Sequence, residues 1–238
     1  MKAMIFAAGI GSRFKPWTDN HPKALALVNE KSLLQRNVEY LQANGIFDVV
    51  INVHHFSEQI IDAIQQNNGW GSNILISDET NEVLETGGGL MKAMPLLNTD
   101  EPFVTINADI LTDISITDLL LFHNQNQSLI SLSVSNRIST RNFLFNDKNR
   151  LCGWENKTTG EKKISIQETE LYSMAYCCVA IFNPTVFNLM TQKGKFSLTD
   201  VYLSLAEKNL ILGKDCSANK FIDVGKSESV AIAEKLFL

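Results

Sequence analysis

Along the first half of the chain, short continuous apolar runs alternate with segments whose apolar residues recur every three or four positions. Ala3 to Ala8 is one such run and ends at Gly9, which reads as a buried strand opening into a glycine loop. From Ser32 to Asn44, residues Leu33, Leu34, Val38 and Leu41 share one helical face, and Gly45 follows as a stop. Val49 to Val53 reads as a β-branched strand, and Ser57 is placed to cap a helix carrying Ile60, Ile61 and Ile64. Asn73 to Ser77 and Phe103 to Asn107 read as further strands, and Leu90 to Leu97 as a short helix behind a glycine loop. Strands alternating with helices imply right-handed crossovers and a mostly parallel α/β sheet.

The second half changes rhythm. Leu129 to Ser135, Asn142 to Phe145, Lys163 to Gln167 and Ala175 to Phe182 read as strands separated by polar turns, clearest at Asn146-Asp147-Lys148-Asn149 and Thr158-Thr159-Gly160-Glu161. Helices over Leu198 to Lys208 and Glu228 to Leu236 follow. This pattern predicts a small antiparallel elaboration on the parallel sheet. No linker, low-complexity tract or internal repeat interrupts the chain, so one domain over 1–238 is expected.

Composition narrows the function. The 238 residues carry 21 Lys+Arg and 26 Asp+Glu, a net charge of −5, with no clustered Lys/Arg stripe. Nucleic acid is therefore not an expected partner. The longest apolar stretch, Met174 to Phe182, is far below the ~20 residues that span a bilayer, so no membrane association is expected. Cys152, Cys177, Cys178 and Cys216 form no CxxC and no zinc-like spacing. A reducing, cytoplasmic setting is the expectation, as a monomer or small homo-oligomer.

The first chemical signal is Ala7-Ala8-Gly9-Ile10-Gly11-Ser12-Arg13-Phe14-Lys15-Pro16-Trp17-Thr18, followed by Pro22-Lys23. A strand opening into glycines exposes consecutive backbone N–H groups and lets a phosphate or base approach the main chain. Arg13 offers a planar multi-donor fork and Lys23 a mobile point charge. Familiar glycine loops fit worse. A dinucleotide fingerprint wants glycine where Phe14 stands, and GxxxxGK[ST] is absent. Taken alone, Gly9-Ile10-Gly11 is also compatible with a plain tight turn.

With Arg13, Pro16 and Pro22-Lys23 included, the segment resembles the sugar-phosphate nucleotidyltransferases, the nucleotide-sugar pyrophosphorylases, whose signature is close to (L/F)AAGxGxRxxPxT…PK. Trp17 and Ala24 depart from it without touching a charged role. The resemblance implies a Rossmann-like, mostly parallel sheet flanked by helices in a GT-A-like fold. Residues 1–128 or so would form the nucleotide-binding half and about 129–238 the sugar-binding half. It implies phosphate-cradling backbone at Ala8, Gly9 and Gly11, a β/γ-phosphate arginine at Arg13 and an α-phosphate lysine at Lys23.

Three further segments extend it. Glu85-Thr86-Gly87-Gly88-Gly89 resembles the loop that faces the nucleoside base, so Glu85, Gly87 and Gly88 would line a base pocket. Ile106-Asn107-Ala108-Asp109 and Phe221-Ile222-Asp223-Val224-Gly225 resemble the two segments that supply Mg²⁺-binding aspartates, which assigns Asp109 and Asp223 to the metal. The sugar side is less legible. Asn107, Asn142, Glu155 and Cys178 are its candidates, with Cys178 standing where relatives carry glycine and Lys157 one place late for an E-K-P segment.

The implied reaction is attack by a sugar 1-phosphate oxygen on the α-phosphorus of a nucleoside triphosphate, with Mg²⁺ as cofactor. The Val53 to Phe56 stretch and the Glu85 to Gly89 motif are most similar to N-acetylmuramate-1-phosphate uridylyltransferases of cell-wall recycling. Mannose-1-phosphate guanylyltransferases and glucose-1-phosphate thymidylyl- or cytidylyltransferases remain alternatives, as does a non-catalytic nucleotide-sugar sensor.

Overall fold

The computed structural model describes residues 1–97 and 100–237. Four apolar runs form parallel strands: β1 (Ala3–Phe6), β2 (Asp48–Val53), β3 (Asn73–Asp78) and β4 (Phe103–Asn107), in the spatial order β4-β1-β2-β3. Their registers coincide: Phe6 lies opposite both Asn52 and Asn107, and Asn52 opposite Ser77. All four strands therefore end at one level.

Helices make the crossovers. In α1 (Leu33–Ala43) the Ser32 hydroxyl accepts from the Gln35 N–H at 3.1 Å, and Leu33, Leu34, Val38 and Leu41 are buried as the periodicity predicts. The helix α2 (Ser57–Gln66) corrects one expectation. Its cap is Phe56, in the left-handed region at φ 53°, and Ser57 is the first helical residue, its hydroxyl accepting from Thr80 Oγ1.

A larger correction concerns α3 (Glu85–Leu97), in which the triple glycine is not a loop but the first turns of the helix. A Cβ on Gly87 would fall 2.4 Å from the Phe196 ring, one on Gly88 2.3 Å from the Gly194 carbonyl oxygen, and one on Gly89 2.6 Å from Glu79 Oε1. Glycine costs helix propensity, and here the cost is offset by backbone packing directly against the 194–196 segment.

The longer elements that follow are β5 (Ile110–Thr112), α4 (Ile116–Gln125), β6 (Ile130–Ser135), β7 (Arg141–Phe145), β8 (Leu151–Asn156), β9 (Lys162–Ile164), β10 (Tyr172–Phe182), α5 (Leu198–Ala206), β11 (Ile211–Asp215), β12 (Phe221–Asp223) and α6 (Glu228–Leu236), beside a short ribbon of Leu27–Val28 with Lys31–Ser32 and one helical turn at Val186–Leu189. The long β10 runs antiparallel to β4 at one end and to β7 at the other, with β6 along its opposite edge. Strands of both halves thus share one ten-stranded sheet, mostly parallel at its centre with an antiparallel extension.

The sequence pattern missed α4, β8 and β11, and the three-residue strands β5 and β12. In α4 only Ile116, Leu119 and His123 are buried, a thin stripe, although Ser115 caps it by accepting from the Asp118 N–H. In β11, Gly213 interrupts the apolar run because a Cβ there would lie 2.7 Å from the Phe145 ring.

Candidate active site

Because the parallel strands end at one level, the turns that follow them converge on one edge, where open α/β sheets take their ligands. Past β1 the chain turns at Gly9 and Gly11. Gly11 has φ 67°, and a Cβ there would sit 3.0 Å from both Lys23 Cβ and Thr18 Cγ2. A Cβ on Gly9 would meet nothing within 4 Å, so the space above that backbone is open.

Lys23 belongs to the short turn Lys23–Leu25 and is nearly buried, its Nζ paired with Asp109 Oδ2. Asp109 stands between β4 and β5, and Asp223 ends β12. Strands β5 and β12 form an antiparallel ribbon in which Asp223 lies opposite Ile110, and the Val224 N–H donates to the Asp109 carbonyl at 2.9 Å. That ribbon brings together two carboxylates that sequence spacing alone leaves unpaired. The buried Asn37 side chain donates to the carbonyls of Ala108 at 3.0 Å and Ile110 at 3.1 Å, which fixes the 108–109 and 110–111 peptide planes around Asp109.

Burial raises the Asp223 carboxyl above its ordinary value and the Asp109 charge adds to this, while Lys23 and Arg13 oppose it. Arg13 Nη2 lies 3.8 Å from Asp223 Oδ2. Gly225 leaves this arrangement its room. A Cβ there would fall 2.6 Å from Asp223 Oδ1 and 2.7 Å from Arg13 Nη2.

Three hollows open along this edge. One of about 150 Å³ is bounded by Gly9, Lys23, Thr86, Asn107 and Asp109. A second, also about 150 Å³, shares Phe6, Gly9 and Thr86 with it and adds Ala8, Asn52, Glu79 and Glu85. A larger cleft of about 580 Å³ lies around Asp223, walled by Arg13, Arg137, Arg141, Asn142, Trp154, Tyr176 and Cys178.

The expected residues divide among these spaces. Ala8, Gly9, Lys23, Glu85 and Asp109 line the smaller hollows, and Arg13 and Asp223 the larger. Gly87 and Gly88 do not reach the pocket wall but face 194–196 behind it, while Glu85 is exposed and 3.7 Å from Lys195 Nζ. Of the four sugar-side candidates, Asn142 and Cys178 line the large cleft, and Asn107 lies beside Lys23 instead. Glu155 is drawn to Lys162 at 3.4 Å and Lys157 at 3.8 Å, and the wall takes its neighbour Trp154.

Cys178 is the residue of β10 around which the pairing with β6 skips, at φ 57°, a region that a side chain occupies at a cost and glycine does not. Burial pushes its thiol well up, with Asp109 and Asp223 adding to the effect, so it is a neutral thiol in the cleft wall.

Sequence reasoning missed Asn52, Glu79 and Arg137. Asn52 Oδ1 accepts from the Ala7 N–H at 2.8 Å, and its Nδ2 donates to Glu79 Oε1 at 2.7 Å. The Glu79 carboxyl is fully buried, and burial raises it above the ordinary value against the hydrogen bonds from Asn52 and the Leu84 backbone. A polar Asn inside the apolar run Val49 to Val53 was the available signal, because buried amides require partners.

The fold and the site define an α/β protein that gathers two cations and two carboxylates beside an open glycine turn, at the carboxyl ends of parallel strands. Residues 2–143 match the family described as nucleotidyl transferase, and the chain belongs to that family. An N-acetylmuramate alpha-1-phosphate uridylyltransferase from Neisseria meningitidis is 44% identical over 117 residues, which are 49% of this chain and 50% of that protein. A mannose-1-phosphate guanyltransferase from Yarrowia lipolytica is 35% identical over 130 residues, 54% of this chain and 36% of that protein. The match thus spans half the length, or less, of these two curated relatives. A UDP-glucose pyrophosphorylase complexed with UDP-glucose superposes with a TM-score of 0.79 at 18% identity, covering 98% of this chain and 97% of that one, which establishes the GT-A-like fold. No helix among the described residues is long and apolar enough to cross a membrane.

Proposed function

We propose that the chain transfers a nucleotidyl group from a nucleoside triphosphate to a sugar 1-phosphate, releasing pyrophosphate, with UTP and N-acetylmuramate 1-phosphate as the preferred pair. The observation that carries this is Lys23, held against Asp109 between the open Gly9 turn and Asp223.

Residues 1–128 or so would hold the nucleotide and about 129–238 the sugar. The backbone of Ala8, Gly9 and Gly11 faces the phosphates, Lys23 the α-phosphate and Arg13 the departing pyrophosphate. Glu79, Glu85 and Thr86 border the base. Gly87 and Gly88 support that pocket from behind by letting α3 dock closely.

Asp109 and Asp223 suit a divalent cation. The Asp109 charge adds to the burial that raises the Asp223 carboxyl, in a cradle that a Cβ at position 225 would fill. Mg²⁺ usually takes one or two carboxylates plus phosphate oxygens and water. When bound, it would neutralise charge on the substrate phosphates.

In the reaction an oxygen of the acceptor phosphate forms a bond to the α-phosphorus. The α–β bridging P–O bond breaks, and its electron pair leaves with pyrophosphate. A phosphate monoester is already anionic near neutral pH, its second pKa being about 6, so no general base is required. The obstacle is repulsion between two polyanions, and Arg13 and Lys23 act by positioning and charge stabilisation.

The uridylyl preference is supported by the 44% identity to the Neisseria relative, and a guanylyl reading by the 35% identity to the Yarrowia one. Pyrophosphate release across a grid of nucleoside triphosphates and sugar 1-phosphates separates them. The UTP and N-acetylmuramate 1-phosphate cell is expected to be fastest, and silence across the whole grid would refute the transferase reading.

A further inference from the structure

The large cleft has a charge that the chain as a whole does not. The protein carries −5, yet this wall presents Arg13, Arg137 and Arg141 against the single carboxylate of Asp223. Arg13 already lies 3.8 Å from that carboxylate. Lys157, one place late for an E-K-P segment, lies by Glu155 and outside the wall. Arg137 and Arg141 therefore carry the cleft's surplus positive charge.

Arg137 is also held in place. Its Nη2 donates to the Tyr176 carbonyl at 2.8 Å, and its guanidinium carbon sits 4.4 Å from the centre of the Phe221 ring. Phe221 opens β12 and Asp223 closes it, so the guanidinium rests on the same short strand as the carboxylate. The Cys177 thiol lies within its reach as well. A half-buried cation is costly by itself and gains from an anion beside it. The guanidinium fork matches the paired oxygens of phosphate and carboxylate alike.

We propose that Arg137, with Arg141 beside it, forms the anion subsite for the acceptor sugar, receiving either its 1-phosphate or a carboxylate carried on the sugar ring. The acceptor's identity rests on the transferase reading; the subsite itself rests on the cleft.

The test is calorimetric titration with glucose 1-phosphate and with N-acetylmuramate 1-phosphate, in the presence of Mg²⁺ and a non-hydrolysable UTP analogue. Wild type is compared with Arg137→Gln and Arg137→Lys. Tenfold or greater weakening of both acceptors in Arg137→Gln, about the loss of one charge-assisted hydrogen bond, would assign the subsite to the phosphate. Weakening of the N-acetylmuramate compound alone would assign it to the carboxylate. Arg137→Lys, which keeps the charge and loses the fork, is expected to fall between. Binding of the UTP analogue should stay unchanged throughout. Unchanged binding of both acceptors would overturn the subsite while leaving the transferase reading intact.

If wild type binds neither acceptor, the transferase reading has failed and inorganic phosphate becomes the probe. Phosphate binding lost in Arg137→Gln would still support the subsite, and no phosphate binding by wild type would overturn it. Should Arg137→Gln not fold, Arg141→Gln, at an exposed position beginning β7, serves in its place with the same outcomes.

Discussion

The Val224 N–H donates to the Asp109 carbonyl at 2.9 Å, and this bond continues the ribbon that sets Asp223 beside Asp109. Gly225, one residue further on, keeps the space between Asp223 and Arg13 clear. Gly225→Ala is expected to push both side chains aside. Turnover should fall tenfold or more, about 1.4 kcal/mol in the barrier, with little change in the melting temperature. Steady-state kinetics beside a thermal melt checks this, and normal kinetics would show that the cradle is unimportant.

Removing charge at the ion pair should separate catalysis from folding less cleanly. Lys23 and Asp109 are both largely buried, so losing one leaves the other unpaired at a cost of a few kcal/mol. Asp109→Asn and Lys23→Met are expected to lower kcat by roughly 10²-fold, by analogy with other transition-state donors, and to lower stability as well. Denaturant unfolding run beside the kinetics apportions the two effects. Either variant with near-normal kcat removes that residue from the mechanism.

The glycines should divide by role. Gly9→Ala places its methyl in open space, so the free protein should melt as wild type, while KM for the nucleotide rises about tenfold, the worth of one contact. Gly88→Ala puts a methyl 2.3 Å from a backbone oxygen and should cost about 1–3 kcal/mol of stability, as overpacking does. Equal effects of the two substitutions on nucleotide KM, with no loss of stability in Gly88→Ala, would restore the base-facing reading of the triple glycine.

His123 is buried on α4 against Ser131, and burial lowers its pKa from 6.5 to about 4. The unfolded chain therefore binds a proton below pH 6.5 that the folded chain refuses until about pH 4. Stability contributed by the neutral ring is present above pH 6.5 and is lost as pH falls toward 4, by roughly 2 kcal/mol at pH 5. His123→Gln should flatten the dependence of unfolding free energy on pH between 7 and 5. Identical slopes in the two proteins would show that His123 does not titrate in this way.

Glu79 works in the opposite direction. Its carboxyl is raised mainly by burial, so the folded state holds its proton to higher pH than the unfolded chain, and stability falls as pH rises above the ordinary glutamate range. Glu79→Gln is expected to be more stable than wild type near neutral pH and to alter the ranking of nucleoside triphosphates by KM. An unchanged ranking would remove Glu79 from base recognition.

The first half of the fold was legible because its strands and helices carry strong periods: Val38 and Leu41 on α1, and the β-branched run in β2. Other elements lay beyond that reading for physical reasons. β5 and β12 have three residues each, too few to show a period, so the pairing that brings Asp109 to Asp223 is visible only in space. Gly87 to Gly89 read as loop because glycine disfavours helix, and only the contacts with Phe196, Gly194 and Glu79 explain their place in one. Arg13, Lys23, Asp109 and Asp223 were legible through a motif, and the structure brings the four together. Arg137 lies in a polar turn with no motif at all, and its meaning comes from Tyr176, Phe221 and the cleft.

One experiment bears on the transfer itself. Wild-type protein is mixed with UTP, N-acetylmuramate 1-phosphate and Mg²⁺, and the phosphorus NMR spectrum is followed over time. The expected course is loss of the triphosphate and monoester signals with equal appearance of a nucleotide-sugar diphosphate and pyrophosphate, slowed roughly 10²-fold in Asp109→Asn. Hydrolysis of UTP without the sugar diphosphate, or an equal rate in the variant, would show that the site does not perform this reaction.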